Sequence, residues 1–192
     1  MNVLIIYTHP NPNSFNHAIL EQVELGLKDG DHSYKVIDLY ADNFNPVLVY
    51  NEQKKRRDLE NDPETAHYRE LIKQADHLIF IYPIWWYGSP AMLKGFIDRV
   101  FVSGFAYTSK GKLPKGFFKY KSAWVIYTID SPSWFVKLFR KSIEWKVFKG
   151  AILNFCGVKK IKRTMLAGIK DSKLVDRQKW LELIYRQAKI LK

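Results

Sequence analysis

Apolar residues gather in four strand-length runs, at 3–7, 77–82, 123–128 and 161–166, and a fifth run at 34–39 is shorter and alternates in polarity. Runs of this kind suit strands buried on both faces of a sheet. Between them, apolar positions recur at helical spacing over about 15–28, 63–75, 90–103, 138–156 and 172–191. The punctuation agrees. Ser14 stands where it can cap the first helix, Ser89 and Pro90 open the third, and Gly157 ends the fourth. Strands alternating with helices make βαβ units, so the pattern predicts an α/β chain. Its core is a three-layer, doubly wound parallel five-stranded sheet in the order 2-1-3-4-5. That order puts a ligand crevice at the carboxyl ends of strands one, three and four.

Composition narrows the class. The 192 residues fit one domain, 1–192, with 47% hydrophobic and 26% charged residues, as a packed globule requires. The polar stretch 51–62 reads as a surface excursion within it. No apolar run is long enough for a membrane helix, and M-N-V-L-I-I-Y reads as a first strand rather than a signal peptide. A single cysteine, Cys156, excludes an internal disulfide and points to a reducing cytoplasm; its apolar setting predicts a buried structural thiol. The net charge is +12, and 137–163 holds nine Lys/Arg against one acid, Glu144. Such a face suits an anionic membrane, a phosphorylated cofactor or plain solvation. No nucleic-acid motif accompanies it, so no nucleic-acid partner is expected.

Three loops follow the strands that border the crevice. The first, T-H-P-N-P-N-S-F-N at 8–16, runs into a helix N-terminus, where free N–H groups and the helix dipole favour a phosphate. His9, Ser14 and Asn16 add donors there, although a Pro/Asn turn with a Ser cap has the same composition. The second, Y-P-I-W-W-Y-G-S-P at 82–90, sets three aromatics directly after a buried strand. Its backbone N–H groups suit the edge of an isoalloxazine, with Trp85, Trp86 and Tyr87 walling the ring; core or dimer packing is the other use for Trp86. The third, Y-T-I-D-S-P-S-W-F at 127–135, offers Thr128, Asp130 and Ser131 to a ribityl chain and Trp134 to the substrate side, or forms an ordinary turn. The five histidines (9, 17, 32, 67 and 77) and the carboxylates show no metal-ligand spacing, so no metal is expected.

The order of these pieces resembles the flavodoxin-like NAD(P)H:quinone reductases, a group that also holds drug-activity modulators and ancillary oxidoreductases of potassium-efflux transporters. The matching motifs are H-x-x-x-x-S-F-N at 9–16, D-L-Y-A-x-N-F-N-P at 38–46, A-D-H-L-I-F-x-Y-P-x-x-W-Y-G-x-P-A-x-L-K-G-F-I-D-R-V-F at 75–101, F-A-Y-T at 105–108 and I-L-N-F-C-G at 152–157. The resemblance implies that His9, Ser14, Phe15 and Asn16 hold a flavin phosphate. Pro83, Ile84, Trp85, Trp86 and Tyr87 would then hold its ring, and Tyr107 and Phe155 line the substrate pocket. It further implies a flavin (FAD or FMN), NAD(P)H, a quinone-like acceptor reduced by ping-pong hydride transfer, and a homodimer. Aromatics of F-V-S-G-F-A-Y at 101–107 are expected to lie exposed until a second copy covers them.

The sequence also departs from that family. Asp130, Ser131 and Pro132 replace the T-T-G-G of the better-known members, and no His follows His77, so their Tyr/His relay has no counterpart. The loop is closer to the D-x-P-x-W form of a bacterial branch. No general acid or base is assigned. The alternative to an enzyme is a flavin-binding ancillary subunit of a membrane transporter with little turnover. A one-electron carrier is disfavoured by the basic charge.

Overall fold

All five expected strands form, within a residue or two of their expected ends: β1 (Asn2–Tyr7), β2 (Ser33–Asp38), β3 (His77–Pro83), β6 (Ser122–Ile129) and β7 (Lys160–Ala167). The structure is a computed structural model and describes residues 1–53, 55–111 and 113–192. The five strands are parallel, in the order β2-β1-β3-β6-β7. Two-residue strands β4 (Tyr107–Thr108) and β5 (Lys115–Gly116) pair antiparallel as a separate ribbon, so the large sheet has the expected 2-1-3-4-5 winding.

The central strands are continuous apolar runs because both their faces are covered. Leu4, Ile6, Leu78, Phe80, Val125 and Tyr127 point to one side and pack on α2 (Pro63–Gln74), α3 (Ala91–Val100) and the helix that follows β6. Val3, Ile5, Ile79, Ile81, Trp124 and Ile126 point to the other, onto α1 (Phe15–Asp29) and α6 (Leu174–Lys189). Alternation along each strand therefore feeds two cores. Two glycines mark where backbones come too close for a side chain. A Cβ at Gly26 of α1 would lie 2.5 Å from the Tyr185 carbonyl oxygen of α6, and one at Gly95 of α3 would lie 2.2 Å from the Pro46 carbonyl oxygen. The Pro46 loop is also held by buried Arg99, whose Nη1 donates to the Asn45 carbonyl at 2.6 Å while its Nη2 pairs with Glu64.

Two expectations need correction. The helix expected over 138–156 is broken. A short α4 (Ser133–Leu138) ends, Lys141 and Ser142 take positive φ, and α5 (Ile143–Lys146) starts anew and continues as a π-helical stretch over Val147–Asn154. No Gly or Pro marks the break, which is why apolar periodicity carried the reading through it. The aromatics of 101–107 are also covered by their own chain. Phe101 is buried against Phe80, Phe96 and Phe118, Phe105 packs on Phe118, and Tyr107 packs on Phe155. The excursion at 51–62 contains a 3-10 turn, Arg56–Asn61.

Candidate functional site

The loops after β1, β3 and β6 converge on one cleft of about 230 Å³, lined by His9, Ser14, Phe15, Asn16, Pro83, Ile84, Trp85, Thr128, Ile129, Asp130 and Ile169. Nine of the expected site residues therefore stand together at the carboxyl edge of the sheet.

The α1 end of the cleft is rich in donors. Ser14 caps the helix, its Oγ accepting from the His17 N–H at 3.2 Å, and its hydroxyl also lies beside that of Tyr7. The first N–H groups of a helix have no intrahelical acceptor, so those of Phe15 and Asn16 are open. His9 Nδ1 meets the Asn11 N–H at 3.0 Å. Partial burial moves the imidazole below its usual pKa, against the raising effect of the Asn11 carbonyl oxygen 3.1 Å from Nδ1; in the neutral tautomer whose Nδ1 accepts from the Asn11 N–H, Nε2–H is left to donate. Asn16 is buried; its Nδ2 donates to Thr128 Oγ1 at 2.9 Å, while its Oδ1 is buried with no partner among the described residues. Donors for an anion beside an orphaned acceptor for a hydroxyl match the phosphate and ribityl chain of a flavin. Among the described residues no Lys or Arg lines the cleft, so a phosphate at this end would be met by helix and loop donors. The Phe15 ring turns away from this end and packs on Trp180, 6.2 Å between centroids, with the Arg177 guanidinium over it.

The aromatic loop is a tight turn. Ile84 N–H donates to the Thr128 carbonyl at 2.7 Å, tying β3 to β6, and Trp85 and Gly88 exchange backbone bonds at 3.1 and 2.9 Å. Trp86 and Tyr87, the two central residues, both have positive φ, as a type I′ turn demands. That turn ordinarily takes Asn and Gly, and bulky residues there are strained. The Trp86 and Tyr87 N–H groups have no acceptor among the described residues. Tyr87 is anchored by its hydroxyl, 2.9 Å from Ser131 Oγ, and by the Arg140 guanidinium 4.8 Å over its ring. Trp86 is fully exposed, outside the cleft wall.

The remaining expected residues lie elsewhere. Tyr107 and Phe155, 4.7 Å apart between ring centroids, line a groove of about 330 Å³ beside α3 with Leu48 and Ile97. Trp134 is exposed on α4 and touches Phe135 and Phe139. Cys156 is buried and its thiol is pushed up to about 12 by burial, so it is no nucleophile. Two features were not read from the sequence. Ile169 closes the cleft from the end of β7, signalled only by a strand ending in A-G-I. Glu144 is buried below the aromatic loop, accepting from Tyr127 O–H at 2.8 Å and pairing with Arg163 at 3.0 Å. Among the described residues no cluster of His, Cys, Asp or Glu could hold a metal, and no helix is long and apolar enough to cross a membrane.

A parallel sheet in this winding, with a phosphate-type loop and an aromatic turn at its carboxyl edge, defines a flavodoxin-like protein. The chain belongs to the family of that description, "Flavodoxin-like fold", whose model matches residues 1–184. It is 34% identical to an uncharacterized NAD(P)H oxidoreductase of Haemophilus influenzae, over 88% of this chain and 85% of that one. Among solved structures it is similar to Smu.1420 of Streptococcus mutans UA159, with 46% identity, full coverage of both chains and a TM-score of 0.94. It is also similar to an NAD(P)H:quinone oxidoreductase of Methanothermobacter marburgensis, with 30% identity, a TM-score of 0.88 and coverage of 100% and 99%.

Proposed function

We propose that the chain is a flavin-dependent NAD(P)H oxidoreductase that reduces quinone-like acceptors. One observation carries the reading: a donor-rich helix N-terminus and an orphaned buried acceptor meet in a single cleft, and Trp85, which opens the strained aromatic turn, stands on its wall. The named activities of the Haemophilus and Methanothermobacter proteins support it. A bound flavin, FAD or FMN, supplies the chemistry of taking up hydride from a nicotinamide and passing electrons to an acceptor in alternating half-reactions.

The chain's own groups then bind and orient. Ser14 O–H, the open α1 N–H groups and His9 Nε2–H hold phosphate; Asn16 Oδ1 receives a hydroxyl; the free Trp86 and Tyr87 N–H groups meet polar ring-edge atoms. Trp85 flanks the cleft, with its ring centroid 6.3 Å from that of His9.

We further infer a homodimer, covering the exposed, uncharged run Val47–Tyr50 beside the groove that holds Tyr107 and Phe155. A test of the main reading is to incubate the purified chain with excess FMN or FAD, desalt it, and assay NAD(P)H:quinone turnover. One flavin per chain with turnover is expected. Absence of retained flavin overturns the site, and retained flavin without turnover overturns the enzyme in favour of a mere flavin binder.

A further inference from the structure

Between Ser131 and Asn154 the chain carries five cations, Lys137, Arg140, Lys141, Lys146 and Lys149, and a single carboxylate, Glu144. Glu144 is buried and paired with Arg163, so it offsets none of the surface charge. Four of the five cations are exposed and Lys149 is half-buried. Interleaved with them, Trp134, Leu138, Phe139 and Ile143 are 57, 70, 67 and 50% exposed. These are not scattered singletons. Phe135 and Phe139 stack at 5.4 Å, and Trp134 meets both at 5.8 and 5.9 Å. Arg140 bridges this cluster to the aromatic turn, lying over the rings of Phe135 and Tyr87. The patch thus runs to the mouth of the cleft, where Trp86 projects into solvent.

An exposed apolar patch of this kind needs a cover. A second copy is a poor one, because a two-fold interface centred here sets the same cations against each other with no exposed acid in the segment to relieve them. An anionic lipid surface satisfies both halves: its headgroups attract the cations, its interface takes up aromatic rings, and Lys stems lie along the apolar boundary while their charges stay in water. We propose that the α4–α5 face docks on an anionic phospholipid bilayer and turns the mouth of the cleft toward the lipid. Docking stands on charge and exposure alone. Its consequence, that the acceptor is a quinone dissolved in the bilayer, rests on the quinone-reductase reading.

The test is co-sedimentation of the full chain with vesicles of phosphatidylcholine alone and of equal parts phosphatidylcholine and phosphatidylglycerol. Binding to the anionic vesicles only, weakened by added salt, is expected. Lys137→Gln and Lys141→Gln should each weaken it about fivefold. Leu138→Ser with Phe139→Ser should weaken it at least about tenfold. The same double variant should keep its turnover with a short-chain, water-dispersed quinone and lose turnover with a long-chain quinone held in vesicles. No sedimentation, or equal sedimentation with neutral vesicles, overturns the proposal. So does light scattering in which the Leu138/Phe139 variant falls from dimer to monomer, since a second copy would then be the cover. Vesicle binding without quinone turnover upholds docking and sinks the quinone reading instead.

Discussion

Replacing Trp86 by Gly should stabilise the cofactor-free protein, although it deletes one of the two indoles of the aromatic turn. Trp86 sits at φ +52°. A left-handed residue with a Cβ costs about 1–2 kcal/mol, which Gly does not incur. Against this, Gly loses about 0.5–1 kcal/mol more backbone entropy on folding. Nothing else is forfeited, because the indole is 102% exposed and buries no surface in the chain. The balance is a gain of up to about 1.5 kcal/mol, centred on about 0.75, or a rise of up to about 6 °C in Tm for a domain of this size. Tyr87→Gly, at φ +57°, relieves the same strain but also removes the hydroxyl contact to Ser131 and a half-buried ring under Arg140. Those losses amount to about 2–4 kcal/mol, so this variant should be less stable. Urea denaturation followed by circular dichroism measures both, with an unchanged slope confirming that only stability moved. A Trp86→Gly protein less stable than the parent would refute the argument, showing that the indole is packed against something.

Other expectations follow from the cleft and the core. His9→Ala should cut flavin affinity about 10- to 150-fold, read by equilibrium fluorescence, and leave turnover at saturating flavin nearly unchanged. Trp85→Ala should lower turnover more than it lowers Tm; equal turnover would remove Trp85 from the ring site. His77 is buried with Nδ1 2.7 Å from Ser122 Oγ, and burial, followed by Lys162 and His32, depresses its pKa to about 4. The unfolded chain binds that proton more tightly, so the stability is full above about pH 6.5 and is lost as pH falls toward 4. The loss should reach about 3 kcal/mol, and His77→Asn should flatten it; an unchanged acid limb in the variant would discount His77. Gly95→Ala should cost about 1–3 kcal/mol in urea denaturation, because its methyl meets the Pro46 carbonyl, and a neutral result would show that this loop yields.

The sheet was legible because its central strands are buried on both faces and so spell themselves as apolar runs; His77, Ala123 and Val3 each lie within a residue of a strand end. The cleft was legible for a related reason. Winding order alone delivers the loops after β1, β3 and β6 to one edge, and their polar and aromatic residues are conspicuous there. What stayed hidden was set by tertiary contact. Lys141 and Ser142 have no left-handed preference that a reader could see. Phe101 and Phe105 look exposed until the 117–118 segment is folded over them. Glu144, a lone acid among lysines, looked like surface, yet Tyr127 and Arg163 draw it into the core.

The π-helical winding of Val147–Asn154 has a consequence for how this chain can change length. Such a stretch holds more residues per turn than an α-helix, and it commonly marks an inserted residue. Here its two ends are fixed independently. Glu144 is held by Tyr127 and Arg163 on one side, and on the other Phe118 N–H donates to the Cys156 carbonyl at 2.8 Å. In a regular α-helix an added residue would rotate everything after it by about 100° and swing Leu153 off the core. Wide winding absorbs that rotation between the anchors. A gain or loss of one residue, which proteins usually confine to loops, is thereby admitted in the middle of a packed helix.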